Sequence, residues 1–224
     1  MFVPMLSFTE ENYLKALLKL TSQNPEKQEA GTNEMAAYLG VKPATATDML
    51  KKLKEKELVS YQKYGKILLT DTGKQHGVAI LRKHRLWETF LFEKLDFSWD
   101  EVHEVAEQLE HIQSTKLVDK LEEFLDFPKF DPHGDPIPNA KGEMPEAPKT
   151  LLSQMQAGDN CHVTAVKDTS TPFLQYLEKL SITIGSKLSV VEVIDFDGSM
   201  NISIEDAAAR NVSMKFADSL FVSR

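Results

Sequence analysis

The sequence predicts a mainly α chain with a small β component: a winged helix-turn-helix over residues 1–75, a helical domain ending in a proline-rich linker over 76–148, and a small antiparallel barrel over 149–224. Three observations carry this. Short helical patterns separated by a tight turn and followed by a hairpin fill the first third, and longer helical patterns with paired His and Glu residues follow. Short β-branched runs broken by turn residues complete the chain. At 224 residues and 42% apolar composition, the chain has room for one large core or two to three small ones.

Thr9 reads as the N-cap of a first helix, 10–20, whose Tyr13, Leu14, Leu17, Leu18 and Leu20 make an apolar face, and Asn24-Pro25 ends it. After a polar loop, Thr32 caps a second helix, 33–39, with Met35, Ala36 and Leu39 inward and Gly40 as its stop. Val41-Lys42 is the tight turn. Pro43 suits the first turn of a third helix, 44–56, which buries Ala46, Met49, Leu50 and Leu53. The runs 58–61 and 67–70 then read as the strands of a wing that turns at Lys63-Tyr64-Gly65-Lys66. In such modules the third helix enters the major groove and wing lysines reach phosphates. The candidate DNA-binding residues are therefore Lys42, Ala44, Thr45, Thr47, Asp48 and Lys51, with Lys63 and Lys66 on the wing. Thr45, Thr47 and Asp48 are the base-side candidates. The same pattern also occurs in protein-interaction modules without a DNA role.

A formal net charge of −8 argues against nucleic acid until its distribution is read. Lys42 to Lys66 carries seven Lys against three acidic residues, whereas Asp100 to Pro148 carries thirteen acidic against four basic residues. One basic patch sits in an acidic chain. The acidic block is either solvated surface or a group of carboxylates that repel one another until a cation arrives. No apolar run approaches the roughly 20 residues of a membrane helix, and residues 1–8 lack the basic start and apolar run of a signal peptide, so a cytoplasmic location is expected. The single cysteine, Cys161, excludes an intramolecular disulfide and a thiolate-rich metal site within one chain. Any metal is held mainly by oxygen and nitrogen.

His103, Glu107, Glu110 and His111 fall at i, i+4, i+7 and i+8, so a continuous helix would line two imidazoles and two carboxylates along one side. His84 and Glu88 stand one turn apart in a preceding helical pattern, and two antiparallel helices can close a metal site between them. A charged solvent face is the plainer alternative. A carboxylate-bridged metalloenzyme would carry two Glu-x-x-His motifs, and Gln108 stands three residues before His111, so that signature fails. Without a nucleophile beside a base or a phosphate loop, no enzyme is expected. Trp87, Phe90, Leu91, Phe92 and Leu95 form an apolar run suited to pairing subunits or to an internal core.

Residues 127–148 hold most of the prolines and read as a linker. From Lys149 onward, strands are expected at 161–166, 187–194, 200–204, 212–216 and 219–222, with a helix over 172–180 and a turn at Asp195-Phe196-Asp197-Gly198. Cys161 and His162 point to opposite faces of their strand and so make no ligand pair.

The segments Arg82-Lys83-His84-Arg85-Leu86-Trp87-Glu88, Val102-His103-Glu104, Glu107-Gln108-Leu109-Glu110-His111 and Pro132-His133-Gly134-Asp135-Pro136-Ile137-Pro138, with the winged helix, resemble the iron- and manganese-dependent repressors of the diphtheria toxin repressor family. The resemblance implies a site made by Asn12, His84, Glu107, Glu110 and His111. Position 12 departs from the family's usual Asp or Met, and Lys15 stands where manganese members can place a second carboxylate. It implies a further site from Glu88, Asp131, His133 and Asp168, with His103 nearby and Asp131 replacing a Cys; Asp168 equally suits the cap of a turn at Thr169-Ser170-Thr171. With neither Met nor Cys at these positions, Mn(II) is expected, Fe(II) being the alternative. The C-terminal part looks like the SH3-like domain that also occurs in ferrous iron transport accessory proteins. The resemblance implies a homodimer that represses metal-uptake genes by binding double-stranded operator DNA.

Overall fold

The structure, a computed structural model, describes residues 6–22, 29–61, 66–147 and 150–224. It divides into two compact units: Met1–His84, Gln108–Thr115 and Pro138–Glu143 make the first, and Arg85–Glu107, Lys116–Ile137 and Met144–Arg224 the second.

In the first unit, α1 (Phe8–Ser22) begins one residue before the expected Thr9 cap. Ser7 takes that role: Glu10 N–H donates to Ser7 Oγ at 3.3 Å, and Ser7 N–H donates to Glu10 Oε2 at 2.8 Å, a reciprocal capping box. A short strand β1 (Ala30–Gly31) precedes α2 (Thr32–Tyr38) and α3 (Pro43–Glu55), the latter opened by its proline. β2 (Val59–Tyr61) and β3 (Lys66–Leu69) form the wing, and β1 adds a third strand on the far edge, Ala30 opposite Ile67. The polar loop of the sequence reading therefore contributes a strand, because Ala30 is buried against that edge. Leu14, Leu17, Met35, Leu50, Leu53 and Ile67 are fully buried at the centre, so α1 rests on the same core as α2 and α3. α4 (Asp71–Leu95) then begins beside the wing, where Gly73 leaves room for the Leu58 carbonyl; a Cβ there would lie 1.9 Å from that oxygen.

The second unit holds most of α5 (Val102–Leu109) and α6 (Thr115–Phe124), followed by the C-terminal sheet. Its strands are β4 (Thr150–Leu151), β5 (Asn160–Val166), β6 (Lys187–Val193), β7 (Met200–Ile204), β8 (Arg210–Val212) and β9 (Leu220–Ser223), all antiparallel, in the order β4-β9-β5-β6-β7-β8. α7 (Thr171–Lys179) and α8 (Met214–Ala217) pack Leu174, Leu177 and Phe216 onto the core made by Val163, Leu188, Ile202 and Val222. The strand expected at 212–216 is corrected: it stops at Val212 because Ser213 Oγ accepts from Phe216 N–H and starts α8. Cys161 is buried and His162 exposed, as the strand alternation requires, and burial pushes the thiol up to about 11.

Candidate functional site

The first unit gathers ionisable side chains where α1, α4 and the segment after α5 meet. α5 ends at Leu109, so Glu110 and His111 lie beyond it rather than on a continuous helical stripe. Glu110 is completely buried, and its Oε2 accepts from Lys15 Nζ at 2.7 Å and lies 2.6 Å from His84 Nδ1. Its other oxygen, Oε1, is buried with no hydrogen-bond partner among the described residues and stands 3.9 Å from His111 Nε2. On the far side of that ring, His111 Nδ1 lies 2.5 Å from Glu11 Oε2. Gln113 Nε2 donates to Glu11 Oε1 at 2.8 Å, and Phe8 stacks on the imidazole with centroids 4.5 Å apart. Asn12 Oδ1 is likewise buried and unpartnered. Burial pushes the neighbouring Lys83 ammonium below its usual range, while the charges of Glu11 and Glu110 pull it back up.

A buried oxygen without a donor costs about 1–3 kcal/mol. Glu110 Oε1 with the His111 imidazole nitrogen 3.9 Å away is the mixed O/N donor pair that a hard or borderline divalent cation accepts, and Asn12 Oδ1 on α1 is a second buried oxygen without a donor among the described residues. The residues present therefore fit such an ion.

A second group lies wholly within the second unit. Glu88, Asp131 and His133 are all buried, with one candidate ligand atom of each within 4.8 Å of the others. His133 Nε2–H donates to the Trp99 carbonyl at 3.0 Å, which leaves Nδ1 facing Glu88 Oε2 at 3.9 Å. Asp131 Oδ1 accepts the N–H groups of His133 and Asp135, each at 2.9 Å. Burial raises the Asp131 carboxyl well above the usual range, the charges of Glu88 and Asp135 add to this, and Arg85, with Nε 3.6 Å away, opposes it. Two buried carboxylates with one guanidinium still favour a cation. The segment read as a linker is therefore packed here: Val166 N–H donates to the His133 carbonyl at 2.9 Å, and Gly134 (φ +84°) sits so close to β5 that a Cβ would lie 2.1 Å from the Thr164 carbonyl.

The other expected site residues are distributed as follows. His103, half exposed, has Nδ1 3.1 Å from Glu88 Oε1 and Nε2 3.5 Å from Glu107 Oε1. Asp168 lies after β5 and outside the Glu88–Asp131–His133 group; its Oδ1 accepts from Ser170 N–H at 2.9 Å, making the turn cap weighed in the sequence. Burial works against its ionisation, but the Ser170 hydrogen bonds and the Lys215 charge hold its carboxyl below the usual range. On and beside α3, Lys42, Ala44, Thr45, Asp48 and Lys51 are exposed, whereas Thr47 donates its hydroxyl to the Pro43 carbonyl at 2.8 Å. Lys66 pairs with Glu29, and Lys63 lies outside the described residues. Sequence reasoning missed Glu11, Gln113 and the Trp99 carbonyl. The first contacts a residue 100 positions away, and only a three-dimensional arrangement reveals it.

Family models match three successive segments: the iron dependent repressor N-terminal DNA binding domain over residues 5–67, the iron dependent repressor metal binding and dimerisation domain over 70–139, and the FeoA domain over 150–224. A solved manganese-dependent transcriptional repressor in complex with manganese matches with a TM-score of 0.82 and 35% identity, covering 95% of this chain and 98% of its own. The chain belongs to the iron-dependent repressor family. An uncharacterised helix-turn-helix-type transcriptional regulator of Methanocaldococcus jannaschii is 32% identical to this family member over 121 residues, 54% of this chain and 95% of the relative. A probable metal transport system membrane protein of Chlamydia trachomatis is 43% identical over 70 residues, 31% of this chain, and the chain spans 16% of that protein's length. Among the described residues of the repressor-family chain, no helix is long and apolar enough to cross a membrane.

Proposed function

We propose that this chain is a metal-activated transcriptional repressor. In this reading it is a cytoplasmic homodimer, a regulator rather than an enzyme, that binds double-stranded operator DNA when loaded with Mn(II), or alternatively Fe(II), and controls metal-ion uptake genes. The observation that carries the reading is the completely buried Glu110, whose unpartnered Oε1 and the nearby His111 Nε2 offer a divalent ion two donors behind a winged helix. Asn12, His84, Glu107, Glu110 and His111 would hold one ion, and Glu88, Asp131 and His133, with His103 beside them, another; Asp168, which caps the turn at Ser170, would join that second ion only by leaving its cap. A bound ion supplies the positive charge that lets these carboxylates share a site.

The chain's own residues supply the coupling. Asn12 belongs to α1, which shares its core with α2 and α3, so fixing Asn12 against Glu110 and His111 restricts the element that supports the recognition helix. A tenfold change in DNA affinity requires only about 1.4 kcal/mol of differential binding. The absence of Met and Cys from the inferred ligands favours Mn(II) over softer ions. Exposed Phe92 and Leu95 on α4 suit a subunit contact, as does the dimerisation domain of the matching family model. The domain limits that go with this reading are 1–75, 76–148 and 149–224.

The test is a titration of a selected operator at fixed ionic strength with chelator, Mn(II), Fe(II) under anaerobic conditions, and Zn(II), since salt alone shifts such affinities. Tightening by Mn(II) or Fe(II) and not by chelator is expected. Equal binding in every condition removes the switch and leaves a constitutive DNA binder.

A further inference from the structure

We infer that Glu11, which is not among the ligands implied by the family resemblance, is a positioning residue for the metal centre: its carboxylate fixes the ring of His111 so that Nε2 is the coordinating nitrogen. This rests on the metal-binding reading of Glu110 and His111 given above.

A carboxylate oxygen only accepts, so the 2.5 Å contact places a proton on His111 Nδ1 and directs it at Glu11 Oε2. In the neutral ring the lone pair then belongs to Nε2, which faces Glu110 Oε1 at 3.9 Å. Two ligands at roughly 2.2 Å from one ion stand at most about 4.4 Å apart, so this pair can share an ion with little movement. Glu11 is itself held. It is 5% exposed, Gln113 Nε2 donates to its second oxygen at 2.8 Å, and the Phe8 ring covers the imidazole on which it acts. The unpartnered oxygens of Glu110 and Asn12 are independent signs of a ligand here, because neither is satisfied by any described residue.

The arrangement also accounts for the neutral side chain at position 12. An amide brings no charge to an ion, whereas a carboxylate behind a coordinating imidazole raises the basicity of the ring and adds negative charge on the far side of that ring. The charge absent at Asn12 is thus supplied by the preceding residue, through His111. Lys15 balances the other side of the cluster, with its ammonium on Glu110 Oε2, the oxygen turned away from His111 Nε2 by these contacts.

The test uses the full-length chain, with free Mn(II) followed by electron paramagnetic resonance during titration, and Asp131→Asn as the background so that the second cluster contributes less. Glu11→Gln keeps the size and loses the charge; its Mn(II) affinity should fall about 10–100-fold, measured on protein whose melting curve in chelator shows a cooperative folded state. Glu11→Asp should recover part of that loss. Nitrogen-15 spectra of the metal-free protein should show His111 protonated at Nδ1, a signature that a merely packing role for Glu11 would not set. Affinity within twofold of the parent in Glu11→Gln, or a ring protonated only at Nε2, overturns the inference. Glu110→Gln separates this from the underlying reading: if it abolishes Mn(II) binding while Glu11→Gln does not weaken it, only the role of Glu11 falls. If Glu110→Gln also leaves binding intact, the metal centre itself is wrong.

Discussion

The two carboxylate–histidine clusters use one geometry with different surroundings. In each, a histidine gives one ring N–H to a fixed acceptor and turns its other nitrogen to a carboxylate oxygen 3.9 Å away: His111 between Glu11 and Glu110, and His133 between the Trp99 carbonyl and Glu88. The acceptor is charged in the first cluster and neutral in the second. The first has a buried ammonium in direct contact with its central carboxylate, while the second has a guanidinium 3.6 Å from Asp131. Their anchors differ as well. Glu11, Asn12 and Lys15 belong to α1 of the winged-helix core, whereas the His133 loop is bonded to β5 of the C-terminal sheet. The contrast separates a cluster wired to the DNA-binding element from one wired to a β domain.

The largest effect that would sharpen this contrast is expected from Glu110→Ala. It removes the buried carboxylate that accepts from the Lys15 ammonium at 2.7 Å, and breaking such a buried pair should cost about 3–5 kcal/mol in chelator by urea unfolding. A loss under 1 kcal/mol would mean that Lys15 finds water or another partner. Gly134→Ala probes the anchor of the other cluster. A side chain at positive φ, driven into the Thr164 carbonyl, should cost about 3 kcal/mol, read from the same unfolding curves.

Asp131→Asn should act in the opposite direction in metal-free protein. The folded Asp131 carboxyl has a raised pKa, so the wild type loses stability as pH rises from the ordinary carboxylate range through that higher value. The Asn variant should lose this pH dependence and unfold at a higher denaturant concentration at neutral pH. A variant less stable than wild type at pH 7 in chelator would show that Arg85 outweighs the burial and repulsion. The smallest effect is expected on the exposed face of α3, where Lys51→Ala should weaken binding evenly across DNA sequences and lower the salt slope by about 1 in a log–log titration.

Local signals were readable wherever the physics is local. The apolar spacing of Leu14, Leu17, Leu50 and Leu53 marks the helices that share the first core, and Pro43 marks the start of α3. The Ser7-Phe8-Thr9-Glu10 capping box was legible in principle, but Thr9 competes for the same role; the hydrogen bonds with Glu10 decide for Ser7. Ser213 likewise outcompeted the β-branched pattern around Val212 by capping α8. β1 had no such signal, since its two residues pair with Ile67 and Lys66, 37 and 35 positions later.

The sequence by itself determined the periodic elements and which oxygen and nitrogen side chains are available to a metal, because side-chain spacing and chemistry are properties of the chain. It put forward His84, Glu88, Glu110, His111, Asp131 and His133 as candidate donors by resemblance, but the partner of each nitrogen and oxygen was beyond it. Tertiary structure alone decided that Glu11 backs His111, that Lys15 occupies one side of Glu110, and that the Trp99 carbonyl orients His133. Those contacts join residues 34 to 100 positions apart, and a buried hydrogen bond is set by where the packed core leaves each donor and acceptor, which no local periodicity encodes.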